Sequence, residues 1–345
     1  MPGRSDSDVT IVGGGLSGCV LALEALDRGM SVRLIDRGNQ RAASRAAAGV
    51  INPITGMRFS RSWRVDEFLP VAIKFYQRVE HACSACLWHP QPICRLFRSP
   101  ELREGFFKRR SLKQLAPYAV RLVEPAEAVG PVENYHGGVW IKGGGWVDLA
   151  VFLDVVRPII EQKGEWIEAE PDMVDLCDSS EGIVIDCRGY QPDHALWPQL
   201  DWKPARGDIL TLQSNVDLPS CILNRSQFVL RLGDGRFRFG ATYDWEFKDT
   251  DTSLKARKTL MKAFVEWVRI PDAEVVDQRA GIRPILRNQR PVLGRHPQRP
   301  NLAIFNGMGS KGGLWAPFLA GTLLDHLWLN TKLDREIDIS RFGER

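Results

Sequence analysis

Three glycines and an aspartate carry the clearest chemistry in this chain. Gly13, Gly15 and Gly18 stand as Gly-x-Gly-x-x-Gly, and Asp36 follows 21 residues after Gly15. In that pattern the first glycine allows a tight turn, the second lets backbone approach a pyrophosphate, and the third lets a helix pack on a strand. Gly14, Leu16 and Ser17 complete the turn and the helix start, whose free N–H groups face phosphates. Asp36, with Arg37 beside it, can accept hydrogen bonds from a ribose diol. The motif alone leaves NAD, NADP and FAD open. A second constellation is Cys83-x-x-Cys86, with His81, His89 and Cys94 nearby, the spacing of a zinc site or a redox dithiol. No second pair lies at zinc spacing and both cysteines continue a helical apolar pattern, so the expectation is core cysteines and no metal.

The elements around the glycines agree with their chemistry. Val9, Ile11 and Val12 form a strand, Val20, Leu21, Leu23 and Leu26 repeat at helical spacing, and Val32, Leu34 and Ile35 form a second strand ending at Asp36. Residues 66–86 read as an amphipathic helix with Leu69, Ile73, Tyr76, Val79 and Cys83 on one face. Residues 87–135 are rich in proline and charge and give no firm pattern. Val139 to Ile141 is a strand, Gly143 to Gly145 a turn, and Asp148 caps a helix that Gly164 ends. Trp166 to Leu176 and Ile183 to Gly189 read as two more strands. Residues 206–283 change to period-two strands and turns, with a helix at 252–268. The last 45 residues repeat strand, glycine loop and helix, through Gly307 to Gly313 and Leu314 onwards. The fold class is therefore α/β. A Rossmann-like nucleotide-binding domain, discontinuous in sequence (1–60, 143–205 and 285–345), is joined to an α+β substrate domain on an antiparallel sheet (61–142 and 206–284).

Composition narrows the function classes. With 44% hydrophobic and 26% charged residues and no 18-residue apolar run, the chain reads as globular, without a membrane span. Met1 to Asp8 has no apolar segment and does not read as a signal peptide. Seven scattered cysteines suit reduced thiols in a cytoplasm. The net charge of +4 is mild but uneven: Arg58, Arg61, Arg64, Arg95, Arg98, Arg103, Lys108, Arg109, Arg110 and Lys113 make the first third basic. Such a run is an anion-attracting or solvated face, or a nucleic-acid footprint. No nucleic-acid motif accompanies it, so nucleic acid is not the expected partner.

Three further stretches give the chain a resemblance: Ser44-Arg-Ala-Ala-Ala-Gly49, Arg279-Ala-Gly-Ile-Arg-Pro284 with Arg290-Pro-Val-Leu-Gly294, and Gly307-Met-Gly-Ser-Lys-Gly-Gly-Leu-Trp-Ala-Pro317. With the glycine motif, they make the chain resemble the FAD-dependent amine oxidases of the D-amino acid oxidase and glycine oxidase family. The resemblance implies FAD, bound non-covalently because no cysteine is placed for a flavin bond. It implies that Asp36 holds the adenosine ribose and Gly13 to Gly18 the pyrophosphate. Ser44, Arg45, Ala46, Ala47, Ala48 and Gly49 would lie along the isoalloxazine, and Val174 would meet the adenine through its backbone. Arg188 and Gly189 fall at the nucleotide end, while Gly307, Gly309, Gly312, Gly313 and Leu314 would meet the pyrimidine edge. Arg283 would pair bidentately with a substrate carboxylate. Ser310 and Lys311 stand in the glycine loop, where the lysine either adds positive charge or is a solvent-exposed loop residue.

The implied activity is oxidation of a carboxylated amine or amino acid by hydride transfer to flavin N5, with oxygen or another acceptor completing the cycle. The sequence departs from the family at Phe228, where glycine oxidases carry a tyrosine that helps bind the carboxylate. Tyr243 or an arginine of 58–64 would then compensate, and Asn288 stands near a common aspartate. Two alternatives share the cofactor: removal of a carboxymethyl group from a modified tRNA uridine, and a catalytically silent FAD-binding partner subunit. An NAD-dependent dehydrogenase fits residues 8–37 but leaves the C-terminal glycine loop without a task.

Overall fold

Val9–Val12 and Val32–Asp36 are almost wholly buried strands, as apolar runs of four or five residues require when a parallel sheet is covered on both faces. A computed structural model of the chain describes residues 7–343 except 39, 41, 110 and 191–194. It places these two strands in a six-stranded sheet. The order is Glu165–Glu168, Val32–Asp36, Val9–Val12, Ile183–Asp186, Leu302–Asn306 and Val292–Arg295. The first five run parallel and the last is antiparallel to its neighbour. Strands from both ends and the middle of the chain thus share one sheet.

Helix Leu16–Asp27 follows the glycine turn, and helix Leu149–Lys163 begins at Asp148, whose carboxylate accepts from the Val151 N–H at 3.2 Å. Gly164 ends the latter, as expected. The last long helix, Gly312–Leu329, is apolar nearly all round because it packs against Leu16–Asp27 on one side and Val65–Cys83 on another.

The second layer is an eight-stranded sheet. Its order is Glu274–Arg283, Ala205–Gln213, Arg236–Gly240, Phe228–Gly233, Ile222–Asn224, Ile93–Leu96, Gly138–Ile141 and Ala119–Val123. Every neighbouring pair is antiparallel except Ile222–Asn224 with Ile93–Leu96. Strand alternation gives the sheet two faces. Leu210, Leu212, Phe237 and Phe239 pack under helix Leu254–Trp267, in one core with Leu260, Phe264 and Trp267. The other face carries Gly207, Ile209, Phe228 and Gly240 toward the first sheet.

Three expectations are corrected here. The strand foreseen from Trp166 to Leu176 stops at Glu168. Asp172 then caps a helix, Met173–Ser179, by accepting from the Val174 and Asp175 N–H groups at 2.8 and 3.0 Å. The helix foreseen to residue 86 ends at Cys83, because Ser84 adopts a left-handed conformation. Cys86 is therefore exposed and Cys83 only half-buried, so neither is a fully buried core residue. Residues 87–135, unreadable in sequence, supply two strands of the large sheet and helix Pro100–Arg109.

Candidate active site

The C-terminal ends of the parallel strands and the free face of the large sheet enclose a cleft of about 490 Å³. That edge is where open α/β sheets bind ligands. At its deep end Gly13 turns the chain with φ +112°, and Gly18 lies against the Gly13 carbonyl so closely that a Cβ has no room. Gly15 faces open space, with only Ser44 Oγ near, 3.8 Å from where a Cβ would stand. The N-cap Gly15 offers no side chain and no acid sits in the first turn; Ser44 Oγ takes the Leu16 N–H, and the remaining positive end is left for an anion.

Asp36 completes this end. Its Oδ1 accepts from the Gly14 N–H at 2.5 Å, while Oδ2 is buried without a hydrogen-bond partner among the described residues. A buried carboxylate oxygen with nothing to accept from is costly, and a ribose hydroxyl is a group that would satisfy it. Arg37 pairs with Glu170 at 3.0 Å, and Arg188 with Asp186 at 2.8 Å; both arginines line the cleft beside Ala169, Pro171 and Gly189. The arrangement fits the adenosine diphosphate half of FAD.

The middle of the cleft is lined by Leu16, Ser17, Ser44, Ala46, Ala47, Ala48 and Gly49. Ser44 Oγ accepts from the Leu16 N–H at 3.1 Å, tying the alanine-rich segment to the glycine turn. Opposite run Gly309, Ser310, Lys311, Gly312, Gly313 and Leu314, at the start of a second helix with neither a side-chain cap nor an acid in its first turn.

The outer end holds the candidate substrate groups. Arg283 stands on the cleft face of its strand, half-buried, with Nη1 donating to the Thr242 carbonyl at 3.2 Å. Its guanidinium lies 4.1 Å from the centre of the Tyr243 ring and fills the place that a Cβ on Gly207 would need. Among the described residues it forms no ion pair, and burial lowers its pKa, opposed by Tyr243 and Asp208. Phe228 lines the same end, in register with Gly240 and Ile209.

Lys311 is not a solvent-exposed loop residue. Its ammonium donates to Thr55 Oγ1 at 2.9 Å and Ser62 Oγ at 3.3 Å, inside the cleft. Burial pulls its pKa from 10.5 down to about 8, and the Arg290 and Arg95 charges add to the shift. Asn52, Thr55, Ser62, Tyr190, Gly207 and Asn306 also line the cleft and were missed. Asn306, ending a strand just before the glycine loop, is the one that sequence could have offered.

Some expected residues lie elsewhere. Gly14 and Gly18 shape the turn without lining the cleft, and Gly307, at φ +77°, turns the chain behind it. Arg45 points away to pair with Asp154 at 2.7 Å. Val174 is on the Met173–Ser179 helix, where its N–H is taken by Asp172, and it borders a neighbouring cavity. None of Arg58, Arg61 and Arg64 lines the cleft: Arg61 pairs with Asp66, and Arg64 with Glu67 and Asp334. Asn288 is exposed and accepts from the Arg290 N–H. Arg110 lies outside the described residues. Cys86 Sγ is 3.8 Å from His89 Nδ1, and among the described residues no cluster of three His, Cys, Asp or Glu side chains could hold a metal. No helix among them is long and apolar enough to cross a membrane.

The crystal structure of glycine oxidase from Geobacillus kaustophilus superposes with a TM-score of 0.81, at 21% identity, covering 98% of each chain. That of iminodiacetate oxidase from Chelativorans sp. BNC1 gives 0.74 at 21% identity, covering 95% of this chain and 98% of the other. These likenesses establish the fold. Among curated sequences, the tRNA 5-methylaminomethyl-2-thiouridine biosynthesis bifunctional protein MnmC of Marinobacter nauticus is 24% identical over 96% of this chain and 58% of its own length. The chain thus spans somewhat under three-fifths of that relative. The profile of the DAO family, described as FAD dependent oxidoreductase, matches residues 8–326. With FAD as its cofactor, the chain belongs to the DAO family of FAD-dependent oxidoreductases.

Proposed function

We propose that the protein oxidises the C–N bond of an amino acid or related carboxylated amine. The observation that carries this reading is Arg283, a guanidinium in the cleft with no carboxylate partner among the described residues. Leaving such a charge unpaired is expensive, and a planar substrate carboxylate matches its donors bidentately. Bound FAD supplies the hydride acceptor. The chain's own contribution is orientation. Arg283 fixes the carboxylate, the Tyr243 ring holds the guanidinium flat, and Phe228 and Ile209 give an apolar wall that keeps water from the α-carbon. Loss of hydride from the α-carbon and a proton from nitrogen leaves an imine, which water hydrolyses. Asp36 and the two helix starts would hold the cofactor without a covalent bond. Cys187, the cleft-lining cysteine among the described residues, sits against the Gly13 turn, and burial raises its thiol well above the ordinary range. The segments 1–60, 143–205 and 285–345 would form the FAD-binding unit, and 61–142 with 206–284 the substrate unit.

Anaerobic spectra of the FAD-loaded protein, before and after adding glycine, sarcosine and D- and L-amino acids, test the reading. Bleaching by a carboxylated amine supports it. Arg283→Ala should weaken that substrate by roughly 10- to 100-fold in KM, the value of a charged hydrogen-bonded pair. A flavin that none of these amines reduces would overturn it.

A second reading has its own observation. Arg98 donates to Ser226, a residue at the cleft, and Arg225 donates to the Arg98 carbonyl. Neither forms an ion pair among the described residues, which leaves two free positive charges beside Ser226. A carboxymethylamine carried on tRNA would suit them, and the bifunctional relative is named for tRNA 5-methylaminomethyl-2-thiouridine biosynthesis. Tight tRNA binding that falls steeply with salt would favour it.

A further inference from the structure

Arg283 is not the only unmatched cation in the cleft. Lys311 also forms no ion pair among the described residues, and its two partners are neutral hydroxyls. Among the described residues, the charges that act on its head are the positive ones of Arg290 and Arg95. Arg95, on the strand Ile93–Leu96, donates to the Ile54 and Gly56 carbonyls and so fixes the turn that carries Thr55. Arg290 is paired with Glu336, and Arg61, on the hairpin, with Asp66. The two unmatched cations stand on neighbouring segments, for the Gly309 N–H donates to the Pro284 carbonyl at 3.1 Å. Thr55 and Ser62 line the same cleft as Arg283.

We propose that the site takes an amine bearing two anionic groups, one carboxylate at Arg283 and a second at Lys311, with Thr55 and Ser62 holding the ammonium in place. This rests on the amine-oxidation reading for its chemistry but not for its geometry. Two positive groups that form no ion pair among the described residues raise the potential between them, and a dianion lowers the energy of both. A monoanionic amino acid satisfies only one.

The test separates the two claims by using ligands without nitrogen. Diglycolate carries two carboxylates and methoxyacetate one; neither can be oxidised as an amine. Their binding to the FAD-loaded protein is read from the change in flavin absorption. Diglycolate should bind at least about tenfold more tightly than methoxyacetate, as expected for one added charged contact. Lys311→Gln should bring the ratio near one, Lys311→Arg should largely restore it, and Arg283→Gln should weaken both ligands. If the glutamine variant loses FAD, the wild-type ratio still decides: it should fall as pH rises through about 8, where Lys311 loses its charge and Arg283 does not. Equal affinities for the two ligands, or a preference untouched by both Lys311→Gln and pH, would overturn the proposal. Failure of every amine to bleach the flavin while the diglycolate preference holds would instead overturn the amine reading and leave the two-anion site standing.

Discussion

Asp36 shows how one side chain ties turn to ligand. Its Oδ1 holds the Gly14 N–H and its Oδ2 is buried without a partner among the described residues, so truncation removes both a structural bond and the proposed ribose contact. Asp36→Ala should weaken FAD about 10- to 100-fold, measured by titrating apoprotein with FAD and following fluorescence. Affinity within twofold of wild type would place the ribose elsewhere. Lys311 gives a prediction with a pH sign. Its pKa in the folded chain lies near 8, below the 10.5 of the unfolded chain, so between those values the unfolded form binds more protons and stability rises with pH. Below about 8 both forms are protonated and the full desolvation penalty is present, on the order of 3 kcal/mol at most. Apoprotein carrying Lys311→Met should therefore be more stable than wild type at pH 7 in urea unfolding, and the difference should shrink as pH rises from 8 to 10.

The elements are set by short signals at their ends. Asp148 caps Leu149–Lys163 through the Val151 N–H, and Asp148→Ala should cost about 1 kcal/mol in chemical denaturation, within 0.5–2. The cap lies outside the cleft lining, so FAD affinity should stay within twofold. A large loss of cofactor would mean that this helix positions the alanine segment, which it meets through the Arg45–Asp154 pair. Asp172 illustrates the opposite case, where a cap overrides an apolar run. Val174 and Leu176 look like strand residues, yet the Asp172 carboxylate takes the first N–H groups and Met173–Ser179 closes as a helix.

On the scale of the whole molecule, the cofactor cleft is where the two sheets meet. Residues from 12 to 314 line it, so FAD should stabilise both layers. At FAD concentrations a hundredfold above Kd the gain is about 2.7 kcal/mol. Hydrogen exchange should then slow in the glycine turn and also in strand Glu274–Arg283, whose Gly281 packs against Ala43. Protection confined to residues 9–36 and 183–189 would show that the large sheet does not sense the cofactor.

The sequence by itself determined the local units: strand, Gly13 to Gly18 turn, helix and Asp36, the Asp148 cap, the Phe228 to Gly240 hairpin, and the glycine loop before Leu314. Each is written within about thirty contiguous residues, because hydrogen-bond spacing and side-chain period are local properties. Only the tertiary structure decided what depends on distant partners. Ile93–Leu96 becomes a strand because Ile222–Asn224 and Gly138–Ile141 flank it, although its sequence is broken by charge and proline. Lys311 is buried because a hairpin some 250 residues earlier supplies Thr55 and Ser62, and no feature near position 311 records that. Burial and charge matching are sums over neighbours in space, so the cleft cations that form no ion pair among the described residues became visible only when the chain was folded.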